Sequence, residues 1–288
     1  MGDHMKVSLT GTQQTALVTL YGKALDSRRP DSILGDREAD RAVRRLDYDF
    51  GDLRMRPRDQ QSSAMRSKAY DRRVMRFLDG HPDCVVLHLG CGLDTRAYRV
   101  NPPATVDWYD IDLPDVIALR RKLFDPRPGL HVVSASITDP ELLGGIAADR
   151  PVLVVAEGLT PYLRRTDGLA MLRRIVGHFP AGLLLFDGYS RAGVWLLQRY
   201  PPVRASGAQL DWSIGDPREL ERAVPGLVFD GEWWVADAED IKRHFSPMYW
   251  HVMQILFHIS PIRRLGRGLQ YHFGPNAGGQ SAVGPGRR

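Results

Sequence analysis

Four residues of this chain have types and spacing that suit chemistry on a bound small molecule. In VVLHLGCGLDTRAYR, Gly90 and Gly92 follow an apolar run directly and precede a helix-compatible stretch. Glycines there permit a tight turn and let backbone N–H groups approach a ligand closely. Asp112 stands twenty residues after Gly92, at the end of VDWYDID and before Pro114. A carboxylate at a strand tip suits the two hydroxyls of a ribose, because its two oxygens carry several lone pairs. Asp110 lies on the same face of that strand, so spacing alone leaves both acids open.

The glycine loop by itself is a weak signal. A dinucleotide fingerprint places a third glycine where Thr95 stands, since helix and strand close tightly around a pyrophosphate. Thr95 therefore argues against a nicotinamide-dependent dehydrogenase and for a nucleoside cofactor without pyrophosphate, such as a sulfonium methyl donor. No Ser/His/Asp or Cys/His constellation and no zinc-ligand cluster can be assembled, so no metal is expected. His88, just before the loop, reads as a satisfied core histidine and takes no role.

These residues need a scaffold that brings strand ends together. Strand-like runs begin at Val85, Val106, Leu130, Pro151 and Gly182, several of them apolar on both faces, as strands covered by helices on each side are. The segments after Pro114, Pro140 and Thr166 are long enough for crossover helices, with Thr166 and Asp167 as a helix start. Alternating strand and helix predicts an α/β fold with a parallel, doubly wound sheet whose ligand lies at the C-terminal strand ends. Residues 6–80 read as a helical cap beside the sheet's edge, containing TALVTLYGKAL and SSAMRSKAYDRRVMRFL, and residues 81–190 as the binding core. Residues 191–273 read as a lid insertion with final strands: the aromatic-rich stretch from Trp195 to His258 holds fragments such as GLVFDGEWWV, and LQYHF closes the sheet. Residues 274–288, rich in Gly and Pro, are expected to be disordered, and the opening MGDHM is left out of the fold reading.

The 288 residues, 43% hydrophobic and 25% charged, suit one large domain with additions and exclude a fibre or a disordered chain. The net charge of +5 is spread along the chain without a basic block, so nucleic acid is not an expected partner. No apolar run approaches the roughly 18 residues of a membrane span. Cys84 and Cys91 bracket a strand of roughly 23 Å, too far for a bond that needs Cα atoms within about 7 Å. Both are expected as free thiols, a usage that fits the cytoplasm.

With these motifs in place the chain resembles the leucine carboxyl methyltransferase family, including its tetracenomycin-type polyketide carboxyl O-methyltransferases. The resemblance runs from about Ser8 to Phe273 and rests on LTGTQQTALVTLYGKALDSRRPDSILGD, MRSKAYD, LGCGLDTRAYR, YDIDLPDVI, SASITD and AEGLTPYL. It implies a Rossmann-like class I methyltransferase with a seven-stranded, mostly parallel sheet, an N-terminal helical cap and an inserted lid. It also implies S-adenosyl-L-methionine as cofactor, with S-adenosyl-L-homocysteine as product.

By resemblance Arg66 holds the methionine carboxylate, with Gly90, Cys91 and Gly92 near the amino-acid end and Asp112 on the ribose beside Leu113. Ser136 and Ile137 match the pair that meets the adenine. The family often has Asp where Ser136 sits, so Asp139 stands as a candidate for the N6 contact. Glu157 and Gly158 are implied near the cofactor, and Tyr162 near the transferred methyl. Asp94, Thr95 and Arg96 are candidate cofactor contacts within the loop, Asp94 and Arg96 being expected to pair. The expected reaction forms a methyl ester on a carboxylate of a small natural product or peptide terminus. A phenol or hydroxyl acceptor is the alternative, for which His244, His251 and His258 are available bases; a non-catalytic cofactor-binding protein is a further one.

Overall fold

Val and Leu dominate four of five short runs of this chain, and the fifth, DWYDID, carries two aromatic residues; both kinds pack well on a pleated surface. The computed structural model describes residues 5–7, 9–53, 55, 57–234 and 242–275. In it these runs form β3 (Val85–Leu89), β4 (Asp107–Asp112), β5 (Leu130–Ser134), β6 (Val152–Ala156) and β7 (Gly182–Gly188). β3, β6 and β7 are buried along their whole length. Two later strands, β8 (Val228–Trp233) and β9 (Arg267–Phe273), complete a seven-stranded sheet in the order β5-β4-β3-β6-β7-β9-β8. The first five pair in parallel, and β9 runs antiparallel between β7 and β8. A separate two-stranded pair joins β1 (Met5–Lys6) to β2 (Leu46–Asp47).

Alternation along the strands divides the core in two. Val85, Leu87, Val152, Val154, Leu184 and Phe186 face α6 (Arg165–His178) through Leu169, Leu172 and Ile175. Val86, Leu153, Val155 and Leu185 face α3 (Pro57–Gly80) through Ala69, Tyr70, Val74 and Phe77. The short helix α4 (Arg96–Val100) follows the glycine loop and adds Ala97 to that second face. A third cluster joins α1 (Thr15–Ser27) and α2 (Arg37–Arg45) to α5 (Pro114–Leu123), with Leu17, Leu20, Val43, Val116 and Leu119 at its centre.

Three local expectations change. The arginine-rich helix α3 packs on the face of the sheet, leaving α1 and α2 as the helices that lie against α5. The segment after Pro140 forms consecutive tight turns, with Leu142, Gly144 and Ile146 N–H groups bonding three residues back, and no crossover helix. Gly144 and Gly145 explain this, each disfavouring helix by about 1 kcal/mol relative to Ala. The next helix begins at Arg165, with Arg164 in the capping position, and Thr166 lies inside its first turn.

From Arg191 to Trp234 the aromatic-rich region mixes α7 (Arg191–Gln198), α8 (Pro201–Ala205) and α9 (Arg218–Ala223) with β8, and helix Pro247–His258 follows. Both cysteines are buried and unbonded. Burial pushes the Cys84 thiol up to about 12 and raises that of Cys91 as well. Ser8, residues 1–4, the tail from residue 276 and the His258 side chain lie outside the described residues.

Candidate cofactor and acceptor site

The loop after β3 is shaped by its glycines. Gly90 has φ +60° and Gly92 φ +53°, a region that side-chain-bearing residues adopt at a cost. A Cβ on Gly90 would stand 2.8 Å from Leu159 Cδ1, and one on Gly92 would stand 3.3 Å from Ala16 Cβ. Helix α1 thus lies directly over the loop.

The loop and the tip of β4 are joined by Asp112. Its Oδ2 accepts the Gly92 N–H at 2.7 Å and its Oδ1 accepts the Leu113 N–H at 2.7 Å. Burial raises the Asp112 pKa, opposed by those two N–H groups. Asp110 has a different fate. It is fully buried and accepts from Trp108 Nε1 at 3.0 Å, from His88 at 2.9 Å and from Arg120 Nη2. The two acids that spacing left equivalent are therefore separated: Asp112 lines the cavity, and Asp110 lies beneath it.

That cavity, about 550 Å³, opens at the C-terminal ends of the parallel strands. From the loop and β4 it is lined by Gly90, Cys91, Gly92, Asp94, Asp112 and Leu113. Ser136 and Ile137 follow β5, and Glu157, Gly158 and Tyr162 follow β6, while Arg66 reaches in from α3. Three predicted residues do not line it. Thr95 turns its hydroxyl to Asp36, at 2.6 Å from Oδ2. Arg96 is wholly buried beneath the floor. Asp139 is exposed and accepts the Glu141 N–H at 2.9 Å, closing a turn. The hydroxyls beside the cavity there are those of Ser136 and Thr138, 2.7 Å apart.

The floor is a continuous ionic network. Glu157 accepts from Arg66 Nε at 2.8 Å, from Ser67 Oγ at 3.0 Å and from Arg96 Nη2. Burial favours its neutral form, but Arg66 and Arg96 outweigh burial and hold the carboxyl at about 2. Asp94 pairs with Lys23 at 2.9 Å, with Arg99 at 2.8 Å and, as expected, with Arg96 at 3.2 Å. These cations hold it well below the usual range against the effect of burial.

His88 sits in this network and, among the described residues, is the one histidine that lines the cavity. Its Nε2 lies 3.2 Å from Arg96 Nη1 and its Nδ1 2.9 Å from Asp110. A guanidinium only donates, so Nε2 accepts and Nδ1 carries the proton: the network assigns a neutral ring with both nitrogens engaged. His244 lies 3.8 Å from Asp31, and neither it nor exposed His251 lines the cavity.

Sequence reasoning missed Asp187, Tyr189, Lys23, Gln13 and, from α7 and its junction with α8, Leu197 and Tyr200. Asp187 accepts the Gly158 N–H at 2.5 Å and the Tyr70 hydroxyl at 2.8 Å, and burial raises its pKa. It lies at the end of β7 as Asp112 ends β4, so the strand-tip argument applied there would have found it. Tyr162, on the 3-10 turn Thr160–Tyr162, shares a hydrogen bond with Thr15, and burial raises its pKa.

A doubly wound sheet with a glycine loop after its first parallel strand and an acid at the next strand's tip suits a cofactor that carries a ribose, and similarity to known proteins identifies the class as the S-adenosylmethionine-dependent methyltransferases. The leucine carboxyl methyltransferase family model matches residues 16–176. A tetracenomycin polyketide synthesis O-methyltransferase from Streptomyces glaucescens is 46% identical over 243 residues, 82% of this chain and 90% of that protein. An S-adenosyl-L-methionine-dependent methyltransferase from Gibberella zeae is 31% identical over 94% of this chain and 98% of its own length. The chain belongs to the leucine carboxyl methyltransferase family, and its cofactor is S-adenosylmethionine. Among solved structures, a duf574 family protein from Streptomyces avermitilis superposes with a TM-score of 0.55 at 16% identity, covering 91% of this chain and 97% of that one, which supports the fold. No helix among the described residues is long and apolar enough to cross a membrane.

Proposed function

We propose that this methyltransferase forms a methyl ester on the carboxylate of a small polyketide acid. One observation carries the reading: His88 has both ring nitrogens engaged, by Asp110 and Arg96. A phenol, with pKa about 10, needs a base to become a nucleophile at neutral pH, whereas a carboxylic acid near 4 is already ionised. Glu157, held at about 2 by Arg66 and Arg96, is too weak a base to fill that place. The relative that acts in tetracenomycin polyketide synthesis supports a polyketide acceptor.

The lining fits the cofactor. Gly90 and Gly92 leave backbone room that a Cβ would fill, and Asp112 retains lone pairs beyond the two amides it accepts. Arg66, with its Nε on Glu157 and a further hydrogen bond to Tyr189, would present its other guanidinium donors to the methionine carboxylate, with Gly90, Cys91 and Gly158 alongside. Asp112 would take ribose hydroxyls. Leu113, 38% exposed, would cover the adenine face with Ile137, and Ser136 would meet its edge. The bound cofactor supplies a methyl group on a positively charged sulfur. The chain's part is to align the acceptor oxygen and keep water out. Leu159, Tyr162, Leu197, Tyr200 and Val203 line that side, and the last three support the division into cap, core and a lid over residues 191–273.

Product chemistry tests this. A methyl ester releases methanol in mild alkali, and turnover should be nearly flat from about pH 6 to 8, where a carboxylate stays charged. An alkali-stable ether, or a rising limb near pH 6.5, would overturn the carboxyl assignment.

A further inference from the structure

Gln13 lies on the 3-10 turn Gly11–Gln14 that leads into α1, and it lines the cavity. Its Nε2 donates to Asp115 Oδ2 at 3.4 Å. The bond is long, but a carboxylate only accepts, so the nitrogen faces Asp115 and the amide oxygen faces away. That oxygen, Oε1, is buried and, among the described residues, has no hydrogen-bond donor. A buried acceptor left unpaired is unfavourable, and one facing a ligand cavity marks where a ligand donor belongs.

Its position selects the donor. Asp115 lies in the first turn of α5, three residues beyond Asp112. Ala16, three residues beyond Gln13, packs against Gly92. The amide oxygen is therefore tethered at the end of the cavity where Asp112 stands. Each Asp112 oxygen already accepts one backbone N–H, from Gly92 and from Leu113. A ribose brings two hydroxyl donors to that end, and Gln13 Oε1 is a second acceptor for them.

We propose that Gln13 is a cofactor-binding residue whose Oε1 accepts a hydrogen bond from a ribose hydroxyl, which draws the N-terminal segment over the nucleoside half of the donor. The assignment rests on Asp112 marking the ribose end. It gives Gln13 a role that neither the glycine loop nor the strand tips supply, since the residue comes from outside the sheet.

Calorimetric titration of the purified protein with S-adenosylhomocysteine tests it. Gln13→Leu keeps the side chain's bulk and removes the acceptor, and is expected to weaken binding by about three- to tenfold, with the ligand-free melting temperature unchanged. The 2′-deoxy and 3′-deoxy analogues of S-adenosylhomocysteine locate the contact. The analogue lacking the bound hydroxyl should bind wild type and Gln13→Leu equally. Equal binding of S-adenosylhomocysteine by both proteins would overturn the proposal. So would a loss that persists with both deoxy analogues, which would place the amide on the base. Asp112→Ala is the reference: if it binds S-adenosylhomocysteine as wild type does, the ribose end itself has been misplaced, and the failure belongs to the underlying site.

Discussion

The Gly92 N–H and Asp112 Oδ2 stand 2.7 Å apart, so the turn after β3 and the tip of β4 hold each other in place. The bond lies across two parallel neighbours whose register puts Leu89 opposite Ile111. A loop shaped by positive-φ glycines would otherwise lack a lateral constraint. The same carboxylate faces the cavity, and it therefore positions the loop as well as presenting acceptors to a ligand.

Substitution of the two neighbouring acids should separate these roles. Asp110→Ala leaves Arg120, which is 1% exposed, as a buried cation without its carboxylate, at a cost of about 3–5 kcal/mol. Urea unfolding should show that loss directly. Asp112→Ala removes a carboxylate whose charge burial disfavours but leaves the Gly92 and Leu113 N–H groups without their acceptor, so its unfolding midpoint should fall less than that of Asp110→Ala while S-adenosylhomocysteine affinity falls at least about tenfold. The reverse pattern would mean that Asp110 is the cofactor's acid.

Glu157 should leave a signature in acid. Its carboxyl has pKa about 2 in the folded chain against an ordinary 4.5. A depressed carboxyl contributes stability that is complete above 4.5 and is lost as pH falls towards 2. Glu157→Gln should therefore be less stable than wild type at pH 7, and the gap should narrow below about pH 4.5. Melting temperatures of the two proteins, compared from pH 7 down to about pH 3, read this out; a gap that stays constant would show the ion pairs with Arg66 and Arg96 to be without net effect.

Gly92→Ala meets two obstacles, a φ of +53° and Ala16 Cβ at 3.3 Å. We expect a loss of about 1–2 kcal/mol from the backbone alone, together with a smaller thermal shift on adding S-adenosylhomocysteine, because α1 must move off the loop. A thermal shift equal to that of wild type would show that the loop tolerates a side chain.

The cavity residues of α7 and its junction with α8 should affect the acceptor only. Leu197→Ala and Tyr200→Ala remove cavity lining contributed by α7 and its junction with α8. Each should raise the acceptor KM by roughly tenfold, in keeping with a lost apolar contact of about 1–3 kcal/mol. S-adenosylhomocysteine affinity should not change. Weakened cofactor binding in either variant would place these side chains on the donor.

What can be read from the sequence is local. Strands β3 to β7, the glycine loop and the acid at the tip of β4 each depend on residues within a few positions of one another, and periodicity and spacing carry that information. Thr95 misleads because its partner, Asp36, lies 59 positions away, and a hydroxyl beside a glycine loop gives no sign of which side it faces. Arg96 misleads for the same reason: Glu157, 61 positions on, holds it in the floor. Asp139 belongs to a turn that spacing cannot distinguish from a binding loop. The choice between Asp110 and Asp112 needs Arg120 and His88 in three dimensions. Gln13 is out of reach altogether, since nothing in GTQQT indicates that α1 crosses the glycine loop.

The placement of β9 between β7 and β8 bears on how the protein is made. Every side chain that lines the cavity among the described residues has been synthesised by Val203, yet β7 gains its outer neighbour only once Arg267–Phe273 has emerged from the ribosome. A product ending before Arg267 would carry the complete cavity lining beside an unpaired row of backbone N–H and C=O groups, a template for intermolecular pairing. Premature termination late in the message should therefore yield aggregates and protease substrates despite an intact set of binding residues.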